Sequence, residues 1–281
     1  MCKKRENPLV SVIIPTYNRG WILKETIDSV LTQDFTNFEL IVVNDGSTDN
    51  TQDILNSYKE DIIVLQQNNK GVSAARNMGI ASASGRLIAF LDSDDLWLPK
   101  KLSIQVDFFN ANLDALICQT EEIWVRNGIR VNPGKRHKKL SGSIFEPSLY
   151  LCLVSPSAVM IKRSLFENAG MFDETLPACE DYDLWLRVSC RYPVYLIDIP
   201  LIIKRGGHSD QLSKSSCLDR YRIQSLKKII KSNLLTENQK AAAIKAMQEK
   251  CTIYANGCLK RDRKEKVLYY NDLAESFFLN P

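Results

Sequence analysis

The chain has 281 residues, of which 44% are apolar and 25% charged, and its 37 Lys and Arg nearly balance its 33 Asp and Glu. This ordinary composition excludes the disordered and fibrous classes, and the net charge of +4 gives no indication of nucleic acid as a partner. The apolar runs are far shorter than the roughly 20 residues of a membrane span, so we predict a cytoplasmic protein with no transmembrane segment and no secretory signal.

Strand and helix patterns alternate through the first 112 residues. Short β-branched runs predict strands, and apolar residues at helical spacing predict helices. The predicted strands are Leu9–Ile14, Phe38–Val43, Ile62–Leu65 and Leu87–Leu91, and the predicted helices are Gly20–Gln33, 50–58, Val72–Ala83 and Pro99–Asn110. Strands separated by helices at this spacing predict parallel crossovers, and hence an α/β fold with a doubly wound, mostly parallel sheet.

The rest of the chain predicts further strands and then a helical tail. Strand patterns occupy 115–126, Ala158–Ile161 and Val194–Ile203, and a helix pattern lies near 180–191. Residues 128–143 combine glycines, a proline and five Lys or Arg, which predicts a mobile basic loop. We therefore predict a domain over 1–215, with halves at 8–112 and 113–215, and a helical extension over 216–281.

The extension differs from the rest of the chain in charge. It holds 13 Lys and Arg against 7 Asp and Glu, whereas residues 1–215 hold 24 against 26. This excess is typical of a solvated basic face, or of peripheral contact with an anionic inner membrane surface or a lipid-linked acceptor. An apolar stripe at helical spacing predicts core packing within the extension, and it comprises Ile244, Met247, Cys251, Tyr254 and Cys258. With no Cys-x-x-Cys pair among eight cysteines, we expect most to be reduced and buried.

Three predicted strands end in polar motifs, which are Pro15-Thr-Tyr-Asn-Arg19, Asn44-Asp-Gly-Ser47 and Asp92-Ser-Asp-Asp95. In an open α/β sheet, ligands bind outside the carboxyl ends of the strands, so these motifs should share one crevice. Three carboxylates within four residues repel one another unless a cation neutralises them, and Mg²⁺ or Mn²⁺ with phosphate oxygens suits such a site. The alternative is an acidic turn that caps the helix after Pro99.

Other polar residues each have a functional and a structural interpretation. In the functional interpretation, the Asp45 carboxylate accepts an N–H from a nucleotide base, and Tyr17 stacks on that base. In the structural interpretation, Asp45 forms its own turn beside Gly46. Arg19 and Arg76 pair with phosphate or lie on a solvated surface. Acidic residues in Glu180-Asp-Tyr-Asp183 suit the positive end of a helix, or supply a general base at its tip. His208, after two glycines, is a surface loop residue or a ligand of metal or diphosphate.

Taken together, five ordered motifs resemble glycosyltransferase family 2, which has the GT-A fold. The resemblance covers residues 8–215 and does not reach the extension. The motifs are Pro15-Thr-Tyr-Asn-Arg19, Val43-Asn-Asp-Gly-Ser47, Gly71-Val-Ser-Ala-Ala-Arg-Asn77, Leu91-Asp-Ser-Asp-Asp95 and Phe172-Asp-Glu followed by Glu180-Asp-Tyr-Asp183.

The resemblance implies inverting, metal-dependent transfer of a sugar from a nucleotide-diphosphate sugar, most commonly a UDP-sugar, to an acceptor hydroxyl. The acceptor would be a saccharide or a lipid-linked sugar in the assembly of cell-surface polysaccharide or glycolipid. Asp45 would contact the base, Asp92 the ribose or donor sugar, and Asp181 would be the catalytic base. Mn²⁺ or Mg²⁺ would be bound by Asp94 and His208. The implied donor contacts are Pro15, Thr16, Tyr17, Arg19, Asp45, Gly71, Arg76, Asp92 and Ser93, with Glu180 and Trp185 on the acceptor side.

The sequence departs from the processive members of this family, which carry a Gln-x-x-Arg-Trp motif after the base. That motif is absent here, so we predict transfer of one sugar per encounter. Two alternatives stay open at this stage. A nucleotidyltransferase would share the acidic sheet edge but should carry a glycine-rich phosphate loop near its start, which is absent. An inactive sugar-nucleotide-binding or scaffold protein would retain the fold without catalysis.

Overall fold

The computed structural model describes residues 7–207 and 218–277. Within those ranges nine strands form one sheet: β1 Val10–Thr16, β2 Phe38–Asn44, β3 Ile63–Gln66, β4 Leu87–Phe90, β5 Leu96–Trp97, β6 Ile117–Arg126, β7 Ile129–Val131, β8 Val159–Lys162 and β9 Tyr195–Gly206. The helices are α1 Leu23–Leu31, α2 Thr51–Ser57, α3 Val72–Ser82, α4 Lys101–Ala111, α5 Phe145–Ser148, α6 Ser164–Ala169, α7 Glu180–Ser189, α8 Leu218–Ile230, α9 Glu237–Leu259 and α10 Lys264–Ser276. The predicted α/β class is confirmed.

The sheet is mixed, with strand order β3-β2-β1-β4-β8-β6-β9-β5 and with β7 paired to β6. Strands β1 to β4 are parallel, which gives the order typical of the first half of a doubly wound sheet. Strand β8 is antiparallel to both β4 and β6, and β9 is parallel to β6. As a result β1, β2, β3, β4, β6 and β9 all run in one direction, and their carboxyl ends lie along one edge.

Helices cover both faces of the sheet because strand side chains alternate between the faces. Val12 and Ile14 of β1 pack with α1, α2 and α4 in one hydrophobic cluster. Ile13, between them, packs with α3, α6 and α7 in a second cluster on the other face. The sheet therefore has a hydrophobic cluster on each face, and these two clusters support the carboxyl ends of its strands.

The C-terminal helices pack against the same body as the sheet. A third hydrophobic cluster joins α8, α9 and α10 to Tyr182 and Leu186 of α7 and to Phe145 and Leu149. Met247, Cys251 and Cys258 of the predicted stripe are buried in it, so the predicted core packing of α9 is confirmed. The cysteines that the structure describes are all free thiols. None of the helices within the described ranges is both long and apolar enough to cross a bilayer.

Ion pairs also engage part of the basic charge of the extension. Lys228 of α8 lies with its Nζ 2.5 Å from Asp173 Oδ2 and 2.9 Å from Asp183 Oδ1. Lys250 of α9 donates a hydrogen bond to the carbonyl of Tyr150. These contacts tie α8 to α7 and α9 to the segment after α5, although the predicted boundary at 215 stays a prediction.

The structure corrects the prediction of a loop over 128–143 in part, because the segment contains a short strand and a short 3₁₀ helix. Strand β7 pairs with β6 through a two-residue turn at Asn127 and Gly128, which both have positive φ. A short 3₁₀ helix, Lys135–His137, follows, and Lys139 is buried with its Nζ 3.3 Å from Glu122 Oε2. Asn-Gly is a strong signal for a tight hairpin, and here it outweighs the loop signal of the glycine, proline and lysine residues around it.

Lys101 on α4 makes stability depend on pH. It is fully buried, and burial together with the nearby Lys139 lowers its pKa to about 7, although Cys118 opposes that shift. Between pH 7 and the unfolded value of 10.5, the folded chain binds fewer protons than the unfolded chain, so the free energy of unfolding rises with pH. We expect Lys101→Met to flatten this rise, which amounts to a few kcal/mol at most at about 1.4 kcal/mol per pKa unit. Urea unfolding at pH 7 and pH 9.5 measures it, and equal slopes in both proteins would contradict it.

Candidate active site

The first two polar motifs form one wall at the carboxyl edge of the sheet. The Asp45 amide donates to the carbonyl of Thr16 at 2.9 Å, and the Asn18 amide donates to Ser47 Oγ at 2.9 Å. Pro15 and Thr16 are buried at the end of β1, whereas the Tyr17 side chain is 43% exposed and Arg19 is half-buried. The wall therefore presents an aromatic ring, as stacking on a base requires, and that role stays a prediction.

Asp45 fixes the loop that leads into α3. Its carboxylate is buried and accepts hydrogen bonds from Gln67 Nε2 at 2.6 Å and from the amides of Lys70 and Gly71 at 2.8 and 2.9 Å. Gly71 precedes α3 with φ +90, a conformation that favours glycine. The contact between Asp45 and a base stays a prediction, and the structure adds that Asp45 shapes the crevice beside β2.

Arg76 of α3 joins two of the predicted motifs. Its Nη2 donates to Asp92 Oδ1 at 2.7 Å and its Nη1 to Glu180 Oε1 at 2.6 Å, while the guanidinium lies 5.1 Å from the centre of the Phe172 ring. Burial lowers the pKa of Arg76, but the two carboxylates raise it by more, so the side chain stays charged.

This geometry corrects the expectation that Arg76 pairs with phosphate. Its side chain is only 3% exposed and both terminal nitrogens donate to carboxylates, so burial shields it from the crevice. Glu180, predicted on the acceptor side, is likewise buried against Arg76 rather than open to an acceptor. The physical reason is that Arg76 lies within α3, below the edge of the sheet, where a charge must be paired.

The acidic motif after β4 crowds three carboxylates. Asp95 is 2% exposed, with Oδ2 accepting from Ser157 Oγ at 2.7 Å and Oδ1 accepting from the Arg205 amide at 2.9 Å. Burial raises the pKa of Asp95, and the neighbouring carboxylates of Asp94 and Asp92 raise it further. Ser93 is buried, and its carbonyl accepts a hydrogen bond from Thr26 of α1. Asp92 and Asp94 are half-buried at the crevice.

These carboxylates fit the predicted divalent cation in number and kind. Mg²⁺ and Mn²⁺ sites need one or two protein carboxylates, because phosphate and water supply the other oxygens. Asp94 offers such a carboxylate. A bound cation would also reduce the repulsion between Asp95 and the neighbouring carboxylates of Asp94 and Asp92. Within 7–207 and 218–277 no three His, Cys, Asp or Glu side chains converge on a metal position. The other predicted ligand, His208, lies outside the described residues.

The predicted base Asp181 lies at the first turn of α7. It follows Cys179, whose φ of +62 turns the chain sharply into the helix. Asp181 is half-buried, and its Oδ2 accepts from Cys152 Sγ at 3.5 Å. Burial raises the pKa of the Cys152 thiol, and the Asp181 carboxylate adds to that effect. Asp181 is therefore the carboxylate of this turn that remains beside the crevice.

The acceptor-side prediction for Trp185 is wrong. Its side chain is 2% exposed and packs in the core of the second cluster, with its ring centre 6.5 Å from that of Phe172. Asp181 and Trp185 are one turn apart on the same face of α7. The first is half-buried, whereas the second lies in the core.

Sequence reasoning missed two cations at the end of β9. Lys204 donates from Nζ to Ser155 Oγ at 3.3 Å. Although burial lowers the pKa of Lys204, the carboxylates of Glu122, Asp95, Asp92 and Asp181 raise it by more, which places its charge among those of the crevice. Arg205 donates from Nε to the carbonyl of Asp94 at 2.5 Å. The sequence offers a signal for both cations, because Lys204 and Arg205 directly precede the Gly206-Gly207 pair that comes before the predicted ligand His208.

Comparisons of the sequence with known proteins agree with the geometry. The family model "Glycosyl transferase family 2" matches residues 11–169. An uncharacterized glycosyltransferase of Rickettsia prowazekii is 36% identical over 217 residues, which cover 75% of this chain and 67% of that protein. Longer rickettsial glycosyltransferases match over 31% to 35% of their length. The Escherichia coli protein WfaP, a UDP-Glc:alpha-D-GlcNAc-diphosphoundecaprenol beta-1,3-glucosyltransferase, is 34% identical over 187 residues, covering 64% of this chain and 70% of WfaP.

Among solved structures, Staphylococcus aureus TarS 1–349 in complex with UDP-GlcNAc superposes with a TM-score of 0.69. The alignment covers 85% of this chain and 70% of the TarS chain at 22% sequence identity. At that identity the likeness concerns the fold, and it extends from the sheet into the C-terminal helices.

Proposed function

Because the chain belongs to glycosyltransferase family 2, we propose that it transfers one sugar from a nucleotide-diphosphate sugar to an acceptor hydroxyl, with inversion at the anomeric carbon. We propose a UDP-sugar as donor, and a saccharide or lipid-linked sugar of cell-surface polysaccharide or glycolipid assembly as acceptor. The name of the E. coli relative, which includes a UDP-sugar and a lipid diphosphate, supports both choices.

One observation carries the proposal, namely the bridge that Arg76 makes between Asp92 and Glu180. Asp92 belongs to the acidic loop that we assign to the donor, and Glu180 precedes the predicted base. A single buried guanidinium thus sets the distance between donor loop and base. Neither the nucleotidyltransferase nor the inactive binding protein gains support from any contact in this crevice.

We propose that Asp181 acts as the general base. The acceptor oxygen forms a bond to the anomeric carbon from the face opposite the diphosphate, while the acceptor proton moves to the Asp181 carboxylate. The bond between sugar and diphosphate breaks, and its electron pair leaves with the diphosphate oxygen. A single displacement needs one base and no carboxylate nucleophile, which is consistent with Glu180 being held by Arg76.

On the donor side, Tyr17 would stack on the base, Asp45 would accept its N–H, and Asp92 would accept a hydroxyl of ribose or donor sugar. Pro15, Thr16, Arg19, Gly71 and Ser93 complete the proposed donor contacts. Asp94 and His208 would hold a bound Mn²⁺ or Mg²⁺, which neutralises the charge of the departing diphosphate. We further propose that residues 1–215 form the catalytic domain, and that the basic extension brings this cytoplasmic enzyme to the inner membrane face.

Asp94→Ala tests the metal assignment. We expect wild-type protein to bind UDP-glucose or UDP-N-acetylglucosamine at least tenfold more tightly with Mn²⁺ than with a chelator. The variant should lose that difference, because it lacks the carboxylate that links metal to protein. Titration calorimetry with both donors measures it, and Asp107→Ala on exposed α4 surface is the matched control. Donor binding that ignores both Mn²⁺ and Asp94→Ala would contradict the assignment.

A further inference from the structure

The segment that follows the middle of β6 is strongly basic. Residues 123–145 contain no Asp or Glu, and their cations are Arg126, Arg130, Lys135, Arg136, Lys138 and Lys139. All but Lys139 are exposed, and no carboxylate in the described parts of the chain lies within 4 Å of these exposed cations. We call residues 124–138 the basic arm. An unpaired cluster of one sign favours an anionic ligand.

The β6–β7 hairpin of the basic arm is paired with neighbouring strands. Trp124 of β6 lies opposite Val131 of β7 and opposite Lys204 of β9. Behind the arm, the buried Lys139 donates to the carbonyl of Thr120 at 2.9 Å. Arg126 and Arg130 therefore lie on a paired hairpin, which lowers the entropy cost of binding compared with an unpaired loop.

One face of the basic arm groups cations around an aromatic ring. The guanidinium of Arg126 lies 5.5 Å, and the ammonium of Lys204 5.8 Å, from the centre of the Trp124 ring. The His137 ring centre is 5.2 Å from that of Trp124, and Arg136 Nε donates to His137 Nε2. Arginine forks match phosphate oxygens in pairs, so this face has the chemistry of a phosphate site.

Lys204 connects this face to the crevice. It donates to Ser155, two residues before Ser157, which donates to Asp95. Its charge also interacts with Asp92 and Asp181, as described above. Lys204 therefore lies between the Trp124 ring of the basic arm and the residues that pack against the acidic motif.

The basic arm is also separated from the proposed nucleotide site. Strand β6 is three strands from β1 in the sheet order, which is about 14 Å at 4.8 Å per strand. The nucleotide wall lies at the ends of β1 and β2, and Asp94, which would hold the metal of the donor diphosphate, follows β4. The basic arm therefore lies beyond the proposed donor site, on its β6 side.

We propose that the basic arm binds the diphosphate of the acceptor, in which that diphosphate joins the accepting sugar to a lipid. The inference rests on the proposed glycosyl transfer, because that reaction defines which ligand enters on the β6 side. The sugar would lie between Asp181 and the donor, and the diphosphate would extend along the arm toward Arg126 and Arg136.

The test compares wild-type protein with the variant Arg126→Gln/Arg136→Gln/Lys138→Gln by titration calorimetry. The probes are octyl diphosphate, octyl phosphocholine, and UDP-N-acetylglucosamine with Mn²⁺. The matched control, Lys231→Gln/Lys245→Gln/Lys260→Gln, removes the same charge from exposed positions of the C-terminal helices. All six positions are exposed, so both variants should fold, and thermal unfolding checks this.

We expect wild-type and control proteins to bind octyl diphosphate equally, and the arm variant to bind it at least tenfold more weakly. Binding of the UDP-sugar should change less than twofold in either variant. The inference is overturned if wild-type protein does not bind octyl diphosphate, if both variants weaken it alike, or if octyl phosphocholine shows the same loss. A parallel loss of UDP-sugar binding would assign the arm to the donor and overturn it too. Failure of the proposed function would appear separately, as absent UDP-sugar binding in wild-type protein or as absent transfer by protein that binds both probes.

Discussion

Arg76→Met is expected to lower the free energy of unfolding by about 3 kcal/mol or more, because it leaves two carboxylates without their cation. Glu180 suffers most, since it is buried and lies beside Asp181. Methionine is apolar and long enough to keep contact with Phe172, so the loss reports charge rather than volume. Urea unfolding at pH 7.5 measures the change, and a loss under 1 kcal/mol would contradict the role given to Arg76.

A second substitution separates pairing from packing. Burial and the Asp181 carboxylate raise the pKa of Glu180, and Arg76 is the charged group that opposes them. In Arg76→Met/Glu180→Gln the unpaired buried charge is removed, so we expect recovery of at least half of the lost stability. Exposed Arg261→Met is the control for loss of an arginine, and it should change stability by less than about 0.5 kcal/mol.

Asp181→Asn is expected to lower the rate of sugar transfer by about 10² to 10⁴, the range typical of losing a general base. The amide keeps the shape of the side chain but cannot take the acceptor proton. Donor affinity should change less than threefold, because we assign Asp181 to the acceptor proton rather than to the nucleotide. Transfer rates and donor Kd, measured on the same preparations, separate the two effects.

The matched control for Asp181→Asn is Asp183→Asn in the same turn of α7. Asp183 is buried and pairs with Arg187 and Lys228, on the side away from the crevice. We expect Asp183→Asn to lower stability while folded protein still transfers sugar. Equal activity losses in the two variants would mean that α7 is merely damaged, and would remove Asp181 as the base.

The parallel half of the sheet could be predicted from sequence because it depends on local signals. Strand β2, for example, is a β-branched run over Phe38–Asn44, and the helix α1 that follows β1 buries one apolar face. The carboxyl ends of parallel strands must share an edge, so the meeting of the motifs at 16, 45 and 92 followed from topology alone.

The partners of the site residues could not be predicted, because they come from distant parts of the chain. Arg76 and Glu180 are 104 residues apart, and no local pattern indicates that one neutralises the other. Arg76 and Glu180 both lie in the motifs, so the sequence placed both at the site. It could not show that they pair with each other instead of contacting a ligand.

The same limit explains Trp185 and Lys204. Trp185 shares a helix face with Asp181, and only the packed structure shows where that face enters the core. Lys204 lies in a strand whose register with β6 shifts between Thr120 and Glu122, so its position beside the carboxylates depends on an irregular pairing. A β-bulge of this kind redirects side chains and leaves little trace in the sequence.

We propose that this crevice transfers a sugar by single displacement, with Asp181 as the general base. Its most direct test is NMR of the product formed from UDP-α-glucose or UDP-α-N-acetylglucosamine with ¹³C at the anomeric carbon, Mn²⁺, and an alkyl diphosphate-linked N-acetylglucosamine acceptor. Because a single displacement inverts the anomeric carbon of the α-linked donor, we expect a β-linked product from wild-type protein and at most a trace from Asp181→Asn. An α-linked product, or equal product from the variant, would contradict it.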